Sequence, residues 1–240
     1  MQGTYRCRSF EVAARKAGWQ ASITKCVKTI AEGNSAGVVV ATRMRVGMSD
    51  ADPVLRTRHL HDPGRFTMKH IGAVRKGGFH CGSVYLYHTI GARGKANLDL
   101  LDTVAITLAG LKGPWCIGGD WNCSPSQLGD TGWLKKVGGV VHYPTDATTN
   151  KGKTFDFFVT SVSFSPLVAS VQVVGDYSCL PHVPVRMTLR GNCRRVMVRL
   201  LKAPITSQPF SRTGQGYVPV TSPSTRRWTT PRLTSTSSAS

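Results

Sequence analysis

An amphipathic helix that leads directly into a short apolar strand constrains the fold of this chain most. In ANLDLLDTVAITLAGLKG (96–113) the apolar residues recur with the helical period, and Asn97 is expected to cap the helix. The next segment, PWCIGGDWN (114–122), is short and apolar, which is typical of a buried strand. A helix followed at once by a buried strand predicts an α/β domain.

Segments rich in β-branched and aromatic residues on both sides of this unit predict further strands. They are AGVVVATR (36–43), RFTMKHIGAV (65–74), HCGSVYLYH (80–88), GGVVHY (138–143), KTFDFFVTS (153–161), VASVQVVGD (168–176) and PVRMTL (184–189). Two shorter helices are predicted, one at 9–17, where Ser9 provides an N-cap and Gly18 a terminator, and one at 126–137. Because short loops join most strands of the second half, we expect sheets packed face to face under covering helices.

The chain is strongly basic, and its charge is unevenly distributed. Its 31 Lys and Arg residues outnumber its 12 Asp and Glu residues, which gives a net charge of +19. Such an excess favours a polyanionic partner, of which nucleic acid, DNA or RNA, is the leading candidate. Residues 191–240 contain no acidic residue and become rich in Ser, Thr, Pro and Arg. We expect them to form a disordered tail after a domain of residues 1–190, because they bury little apolar surface.

The cysteines and the N-terminus indicate an intracellular protein. The seven cysteines form no C-x-x-C pair and no zinc-type grouping with histidine, a pattern typical of reduced thiols. The first residues, MQGTYRCRSF, lack the apolar stretch of a signal peptide, and no apolar run approaches the length that spans a membrane. We therefore expect a nuclear or cytoplasmic protein without a membrane partner.

Three segments in order, GGDWNCSP (118–125), KTFDFFVTS (153–161) and PHVPVRMTL (181–189), resemble the endonuclease/exonuclease/phosphatase superfamily. This superfamily includes abasic-site endonucleases, DNase I and retroelement endonucleases, and the resemblance covers roughly residues 2–190. It implies a four-layer α/β sandwich of two packed mixed β-sheets flanked by helices. It also implies a site at the strand ends between the sheets, where phosphoester bonds are hydrolysed with Mg²⁺ or Mn²⁺.

The resemblance implies that Asp120 orients the attacking water or takes its proton, and that Asn122 contacts the phosphate. Asp120 could also be a metal ligand. In an extended segment the side chains of residues i and i+2 lie on one face, so both could reach one cleft. The alternative is an ordinary Asx turn after a buried strand, because Asp, Asn and Pro all favour turns.

By the same resemblance, His182 stabilises the phosphoryl group or transfers a proton, and Asp156 holds the histidine in one tautomer. The alternatives are a histidine in a surface loop and an acid that caps a strand end. Asp156 is flanked by Phe155 and Phe157, and a buried carboxylate needs a partner. Asp156 is therefore the stronger indication of the two.

Two further residues are candidates for phosphate contact. The family places a tyrosine near the phosphate, and Tyr85 could match it, with Tyr87 or His88 as alternatives. It sometimes places an asparagine there too, and Asn97 could match that residue if it is not only a helix cap.

The chain departs from the family at two acidic positions. Members usually carry a metal-binding glutamate in Gln-Glu-Thr or Gln-Glu-His, after an early strand, and Gly3 stands at its place in MQGTY. The glutamates of the chain, Glu11 and Glu32, both follow that position, and Glu11 is expected to be a solvated helix residue. Pro181 precedes His182 where many members have an aspartate. The chain is thus expected to be divergent, or to lack the first strand or strands, and to bind a divalent ion less tightly.

Three functions follow as hypotheses. The first is a divalent-metal-dependent phosphodiester hydrolase or endonuclease, with a retroelement as one source of such a domain. The second is a catalytically impaired relative that binds nucleic acid through its basic surface. The third is a basic structural or interaction protein that shares only the fold.

Overall fold

The computed structural model of the chain describes residues 2–28, 34–51, 64–175 and 180–191. These residues belong to one compact unit, Met1–Val198. The predicted tail, apart from Gly191, lies outside the described residues, and so does Glu32. Among the described residues no helix is both long enough and apolar enough to cross a membrane.

Four α-helices and twelve strands are found in the described part of the chain, besides a short 3₁₀ helix at Ser165–Leu167. In chain order they are α1 (Gln2–Lys16), β1 (Trp19–Ile23), β2 (Val27–Lys28), β3 (Asn34–Ser35), β4 (Val39–Arg43), β5 (Met48–Asp50), β6 (Phe66–Ile71), β7 (Phe79–Tyr85), α2 (Lys95–Ala109), β8 (Trp115–Asp120), α3 (Pro125–Gly129), α4 (Trp133–Val137), β9 (Gly139–His142), β10 (Asp156–Ser161), β11 (Val168–Val173) and β12 (Val185–Leu189). Each of the strands predicted from the sequence is present, as is the helix that precedes β8.

The helix predictions are wrong in three details. Helix α1 begins at Gln2, so Ser9 lies in its middle and does not cap it. Residue Gly94 caps α2, and Asn97 lies inside the first turn of that helix. The helix predicted at 126–137 is two helices, because Gly132 adopts a left-handed φ of 76° between them.

A six-stranded mixed sheet forms the centre of the fold. Its strand order is β5-β6-β7-β8-β10-β9. Strands β7 and β8 are parallel and connected through α2, whereas the other neighbours are antiparallel. Helix α2 is therefore the crossover connection that leads from β7 to its parallel neighbour β8.

Each face of this sheet carries its own core. On one face, Val84, Ile117 and Phe157 pack with the buried side of α2 and with Trp133 of α4. On the opposite face, Phe79 and Cys116 pack against Val40 of β4, Phe164 and the β11–β12 pair. The second layer consists of two antiparallel pairs, β1–β4 and β11–β12, and α1 packs beside β1. This arrangement confirms the predicted sandwich of β-layers flanked by helices.

The two glycines at the end of β8 allow the central strands to pack closely. A Cβ on Gly119 would lie 1.9 Å from the carbonyl oxygen of Val84, and one on Gly118 would lie 2.7 Å from the Phe158 ring. Just beyond the strand, Trp121 is fully buried and its indole Nε1–H donates to the carbonyl of Phe157 over 3.0 Å. The end of β8 is therefore held firmly against β7 and β10.

Candidate functional site

Three neighbouring strands place polar side chains side by side at one edge of the central sheet. Asp120, the last residue of β8, is paired with Tyr85 on β7 and with Asp156 on β10. Residues paired across a sheet project on the same face. That face is the one covered by the second β-layer, since Phe158 and Cys116 share it and pack in that core.

The chain turns sharply directly after Asp120, and the turn brings Asn122 back onto it. The backbone N–H of Asn122 donates to Asp120 Oδ1 over 3.0 Å, which makes an Asx turn, and Asn122 has a φ of 44°. Its side-chain Nδ2 donates to the carbonyl of Leu86 over 2.9 Å and lies 3.3 Å from Asp120 Oδ2. The two side chains therefore meet through a turn, and not through the strand alternation expected from the sequence, because the strand ends at Asp120.

His182 and Asp156 form a hydrogen-bonded pair beside this turn. The Nδ1 atom of His182 lies 2.7 Å from Asp156 Oδ2, and its Nε2 atom lies 3.8 Å from Asp120 Oδ2. Because a carboxylate accepts hydrogen bonds, Nδ1 carries the proton, and Nε2 is the nitrogen left for exchange. The structure thus brings together Asp120, Asn122, Asp156 and His182, which we call the candidate site.

A buried threonine on the loop before β10 organises the His182–Asp156 pair. Thr148 is fully buried, and its hydroxyl oxygen accepts from the backbone N–H groups of Phe155 and Asp156 over 2.9 and 3.0 Å. The Thr148 carbonyl accepts from the N–H of Val183 over 2.8 Å. One residue therefore holds the backbone at both members of the pair. No motif in the sequence pointed to it.

Burial and neighbouring charges shift the pKa values of two groups in the site. Burial raises the pKa of the Asp120 carboxyl, and the charge of Asp156 acts in the same direction. Burial of His182 opposes its charged form, but the hydrogen bond to Asp156 and the charges of both aspartates outweigh it, so the pKa of His182 is raised. The site therefore favours a proton on His182.

The donor atoms of the site fit a divalent cation. Ligand atoms of Asp120, Asp156 and His182 lie within 4.8 Å of one another, and the three side chains are half-buried. Since His182 Nδ1 and Asp156 Oδ2 bond to each other, the Asp120 carboxylate is the oxygen ligand best placed for an ion. Mg²⁺ is commonly held by one or two carboxylates, and water and substrate phosphate complete its coordination.

The two weaker candidates for phosphate contact lie in different surroundings. Tyr85 is half-buried beside Asp120, and its ring centroid lies 5.0 Å from the guanidinium of Arg65. The proposed phosphate contact of Asn97 is wrong. This side chain is 1% exposed and bonds the backbone of Tyr87 and Gly91, so no substrate can reach it.

His88, considered in the sequence only as an alternative to Tyr85, contacts the candidate site. It follows β7, is exposed, and its Nδ1 atom lies 3.0 Å from Asn122 Oδ1. No sequence pattern favoured His88 over Tyr85, because its contact with the site depends on the turn at Asn122.

Gly3, which the resemblance aligns with the family's metal-binding glutamate, brings no carboxylate to the candidate site. Gly3 lies in the first turn of α1, and Glu11 is an exposed residue of the same helix. Residue Pro181, which follows a cis peptide bond, precedes His182. Among the described residues, the carboxylates of the candidate site are therefore those of Asp120 and Asp156.

Several solved structures have an architecture similar to that of this chain. No protein-family model and no curated protein sequence matches the chain. The endonuclease domain of TRAS1, a telomere-specific non-LTR retrotransposon, is similar over 76% of this chain and 90% of that domain, at a TM-score of 0.53 and 13% identity. A mannosyl-6-phosphatase of Bacteroides thetaiotaomicron is similar over 78% of this chain and 82% of its own chain, with a TM-score of 0.53 and a sequence identity of 14%.

An AP endonuclease of Leishmania major, LMAP, is similar over 72% of this chain and 71% of its own, with a TM-score of 0.50 at 12% identity. Nucleases and a phosphatase are thus found among the structures of similar fold. At these identities the likeness concerns architecture, which is the one implied by the three ordered sequence segments. The chain has the endonuclease/exonuclease/phosphatase fold.

Proposed function

We propose that the protein is a divalent-metal-dependent phosphodiester hydrolase that acts on nucleic acid. The observation that carries the proposal is the candidate site, in which an aspartate, an asparagine and a hydrogen-bonded His–Asp pair meet at one sheet edge. Hydrolysis of a phosphodiester requires an oriented water, proton transfer and donors that hold the phosphate. These four residues offer all three.

Each residue has a role that its surroundings support. The Asp120 carboxylate orients the attacking water or takes its proton, since burial gives this carboxylate an increased proton affinity. The Asn122 amide is fixed by the Leu86 carbonyl, and its second Nδ2 hydrogen, which points toward Asp120 over 3.3 Å, is the proposed donor to a phosphate oxygen. His182, kept in one tautomer by Asp156, stabilises the phosphoryl group or moves a proton through Nε2.

A divalent ion, Mg²⁺ or Mn²⁺, would be held by Asp120 and would supply positive charge next to the phosphoryl oxygens. Gly3 and Pro181 stand where the family has acids, so we expect a loosely held ion and a requirement for millimolar-range metal. Tyr85 is paired with Asp120 on the neighbouring strand, and we propose it as a further phosphate contact.

Nucleic acid is the substrate class that the charge of the chain favours. The net charge is +19, and exposed lysines such as Lys151 and Lys153 lie on the loop that holds the His182 segment. A phosphodiester backbone brings many negative charges to such a surface. The fold shared with the TRAS1 endonuclease domain supports a retroelement origin as part of the proposal.

The test is nicking of supercoiled plasmid by the full-length protein with Mg²⁺ or Mn²⁺. We expect nicking that is lost in His182→Ala and retained in the matched control His70→Ala. His70 lies on β6, five residues along the strand from the level of Tyr85 and Asp120, which corresponds to about 16 Å. Its ring bonds the Gly77 carbonyl and contacts no residue of the candidate site. Equal nicking by wild type and His182→Ala would overturn the proposal.

A second candidate function, nucleic-acid binding without cleavage, is favoured by the missing carboxylate at Gly3. It predicts binding of DNA or RNA that weakens steeply with salt, with no turnover in any metal. Fluorescence anisotropy at increasing salt, run beside the nicking assay, separates it from the hydrolase.

A further inference from the structure

We infer that the end of the central sheet opposite the candidate site is a second nucleic-acid-binding surface. It consists of exposed cations in the turns at that end, and we call it the basic end. Its members are Arg43, Arg45, Arg75, Lys76, Lys112 and Arg190. This inference goes beyond the proposed function, because binding at the basic end requires no cleavage at the candidate site.

The turns after β4 and β6, which carry the first four of these cations, are neighbours. Residues 44–47 connect β4 to β5, and residues 72–78 connect β6 to β7. The N–H of Gly72, directly after β6, donates to the carbonyl of Gly47 over 2.9 Å. Both turns therefore lie at the end of the sheet where β7 begins, whereas the candidate site lies where β7 ends.

Lys112 and Arg190 lie beside these two turns. The carbonyl of Lys112, just before β8, accepts from His80 Nε2 over 3.1 Å, and His80 lies at the start of β7. Arg190 follows β12 and precedes Gly191, where an added Cβ would lie 3.8 Å from the side chain of Val74 in the turn after β6. The six cations therefore share one end of the fold.

In the described part of the chain these turns contain no acidic residue. The segments concerned are 43–47, 72–78, 110–114 and 190–191. Lysines that form ion pairs with carboxylates of the described residues are Lys69, Lys95 and Lys136, and none belongs to the basic end. Asp120 and Asp156 lie at the opposite end of the same sheet. The positive charge of the basic end is therefore available to an anionic partner.

Arg43 is held in place before any partner binds. Its guanidinium lies 4.3 Å from the centroid of the Trp19 ring, and its Nη1 donates to the Ala17 carbonyl over 3.4 Å. A side chain that is already ordered loses less conformational entropy when it binds a phosphate. Trp19 is 36% exposed beside it, and an aromatic ring next to an arginine offers a surface on which nucleic-acid bases stack.

The chemistry of the basic end favours nucleic acid over an anionic membrane. Four of its six cations are arginines, whose planar guanidinium donates two parallel hydrogen bonds to one phosphate. Binding to a membrane surface depends on a contiguous apolar face that enters the lipid. Within the four described segments, Met44 is the single exposed large apolar residue. Separate cations on separate turns instead match the repeating phosphates of a polynucleotide.

The basic end binds a different segment of nucleic acid from the one in the candidate site. Strand β7 runs from Phe79 at the basic end to Tyr85 beside Asp120, which corresponds to about 20 Å. The two surfaces lie at opposite ends of the strands, so one short straight duplex does not contact both. A long polynucleotide is held at the basic end while another part of it enters the site.

The test removes three cations of the basic end and, in a matched control, three exposed cations elsewhere. The basic-end variant of the full-length protein carries Arg45→Gln, Arg75→Gln and Lys112→Gln. The control variant carries Arg8→Gln, Lys95→Gln and Lys136→Gln. The net charge falls equally in both. Binding of a fluorescein-labelled duplex of about 20 base pairs is measured without metal by anisotropy at roughly 50 to 200 mM salt.

The salt dependence of binding decides the outcome. We expect the slope of log Kd against log salt to decrease in magnitude by about 1 for each lost phosphate contact, so by about 3 in the basic-end variant, while the control stays close to wild type. An equal decrease in both variants, or none in the basic-end variant, would overturn the inference. Binding to vesicles of phosphatidylserine and phosphatidylcholine but not to the duplex would overturn it too. The assay involves no cleavage, so an inactive candidate site leaves the result unaffected.

Lysine footprinting of the wild-type protein gives a second readout that needs no variant. Acetylation with sulfo-N-hydroxysuccinimide acetate, followed by peptide mass spectrometry, reports the accessibility of each exposed lysine. Bound duplex should protect Lys76 and Lys112, whereas Lys95 and Lys136 should react as in the free protein. Full reactivity of Lys76 and Lys112 under saturating duplex would overturn the inference, even if the basic-end variant bound more weakly.

Discussion

His182 Nδ1 donates to Asp156 Oδ2 over 2.7 Å, although 26 residues separate the two in the chain. Burial opposes the charged ring, but this bond and the charges of Asp156 and Asp120 raise the pKa of His182. The His182 ring therefore binds its proton more tightly in the folded state than in the unfolded state. Its stabilisation is complete below the ordinary histidine pKa of 6.5 and is lost as the pH rises through the raised folded value.

This predicts a pH-dependent difference in stability between wild type and His182→Gln. Urea unfolding should show a larger difference in unfolding free energy at about pH 5.5 than at about pH 9. The Asp156→Asn variant, in which the acceptor charge is removed, should show a smaller dependence on pH than wild type. A difference between wild type and His182→Gln that does not change with pH would contradict the prediction.

Replacement of Thr148 by valine should destabilise the fold and the candidate site together. The Thr148 hydroxyl accepts from the N–H groups of Phe155 and Asp156, and both donors would lose their acceptor beside a similarly shaped side chain. We expect the free energy of unfolding, measured by urea unfolding, to fall by about 1–3 kcal/mol because backbone donors are left without an acceptor.

Thr148→Ser is the matched control because it retains the hydroxyl, and it should recover most of the stability lost in Thr148→Val. Nicking activity should fall in the valine variant and return in the serine variant, since the backbone of Asp156 depends on this hydroxyl. Equal stability of the two variants would show that the hydroxyl is dispensable.

A methyl group at Gly119 should force β7 and β8 apart. Its Cβ would lie 1.9 Å from the Val84 carbonyl oxygen, a backbone atom that cannot rotate away. Overpacking of this kind lowers the free energy of unfolding by about 1–3 kcal/mol. The Gly119→Ala variant should therefore show a lower thermal unfolding midpoint than wild type. At Gly175 a Cβ would meet nothing within 4 Å, so Gly175→Ala should unfold like wild type.

Three thiols, those of the buried Cys116 and Cys123 and of the half-buried Cys81, should resist alkylation in the native protein. Burial raises the pKa of Cys81 to about 11 and that of Cys123 to about 12, and it raises the pKa of Cys116 as well. Only the thiolate reacts readily, so iodoacetamide at neutral pH should leave these three unmodified until guanidinium is added. Peptide mass spectrometry gives the readout, and rapid native labelling of Cys116 would contradict it.

The central elements were predictable because their patterns are local. The apolar residues of α2 recur with the helical period because one face of the helix is buried, and the apolar run of β8 reflects a strand covered on both faces. The helix and the strand could therefore be identified from residues 96–122 alone. The start of α1 was not predictable from Ser9, because a residue typical of N-caps can also lie in the middle of a helix.

The candidate site was predictable in its members and not in its contacts. Asp120, Asn122, Asp156 and His182 were identified by resemblance, and the structure joins them in two hydrogen-bonded pairs, Asp120–Asn122 and Asp156–His182, with 3.8 Å between Asp120 Oδ2 and His182 Nε2. The contact between Asp120 and Asn122 depends on a positive φ at Asn122, which an apolar pattern does not encode. The contacts of Thr148 and His88 with the candidate site depend on the paths of loops, and single residues in loops leave no periodic signal in a sequence.

The strand order described for the central sheet also determines when during synthesis the site can form. Strand β10 lies between β8 and β9, although it is translated after both. A ribosome-bound chain that ends before residue 156 can pair β7 with β8, which α2 connects. The other edge of β8 then remains unpaired until β10 is synthesised. The carboxylate pair forms only once β10 has emerged, and the histidine joins 26 residues later. Any cleaving activity of this protein would therefore begin late in translation, after the helix-covered core is complete.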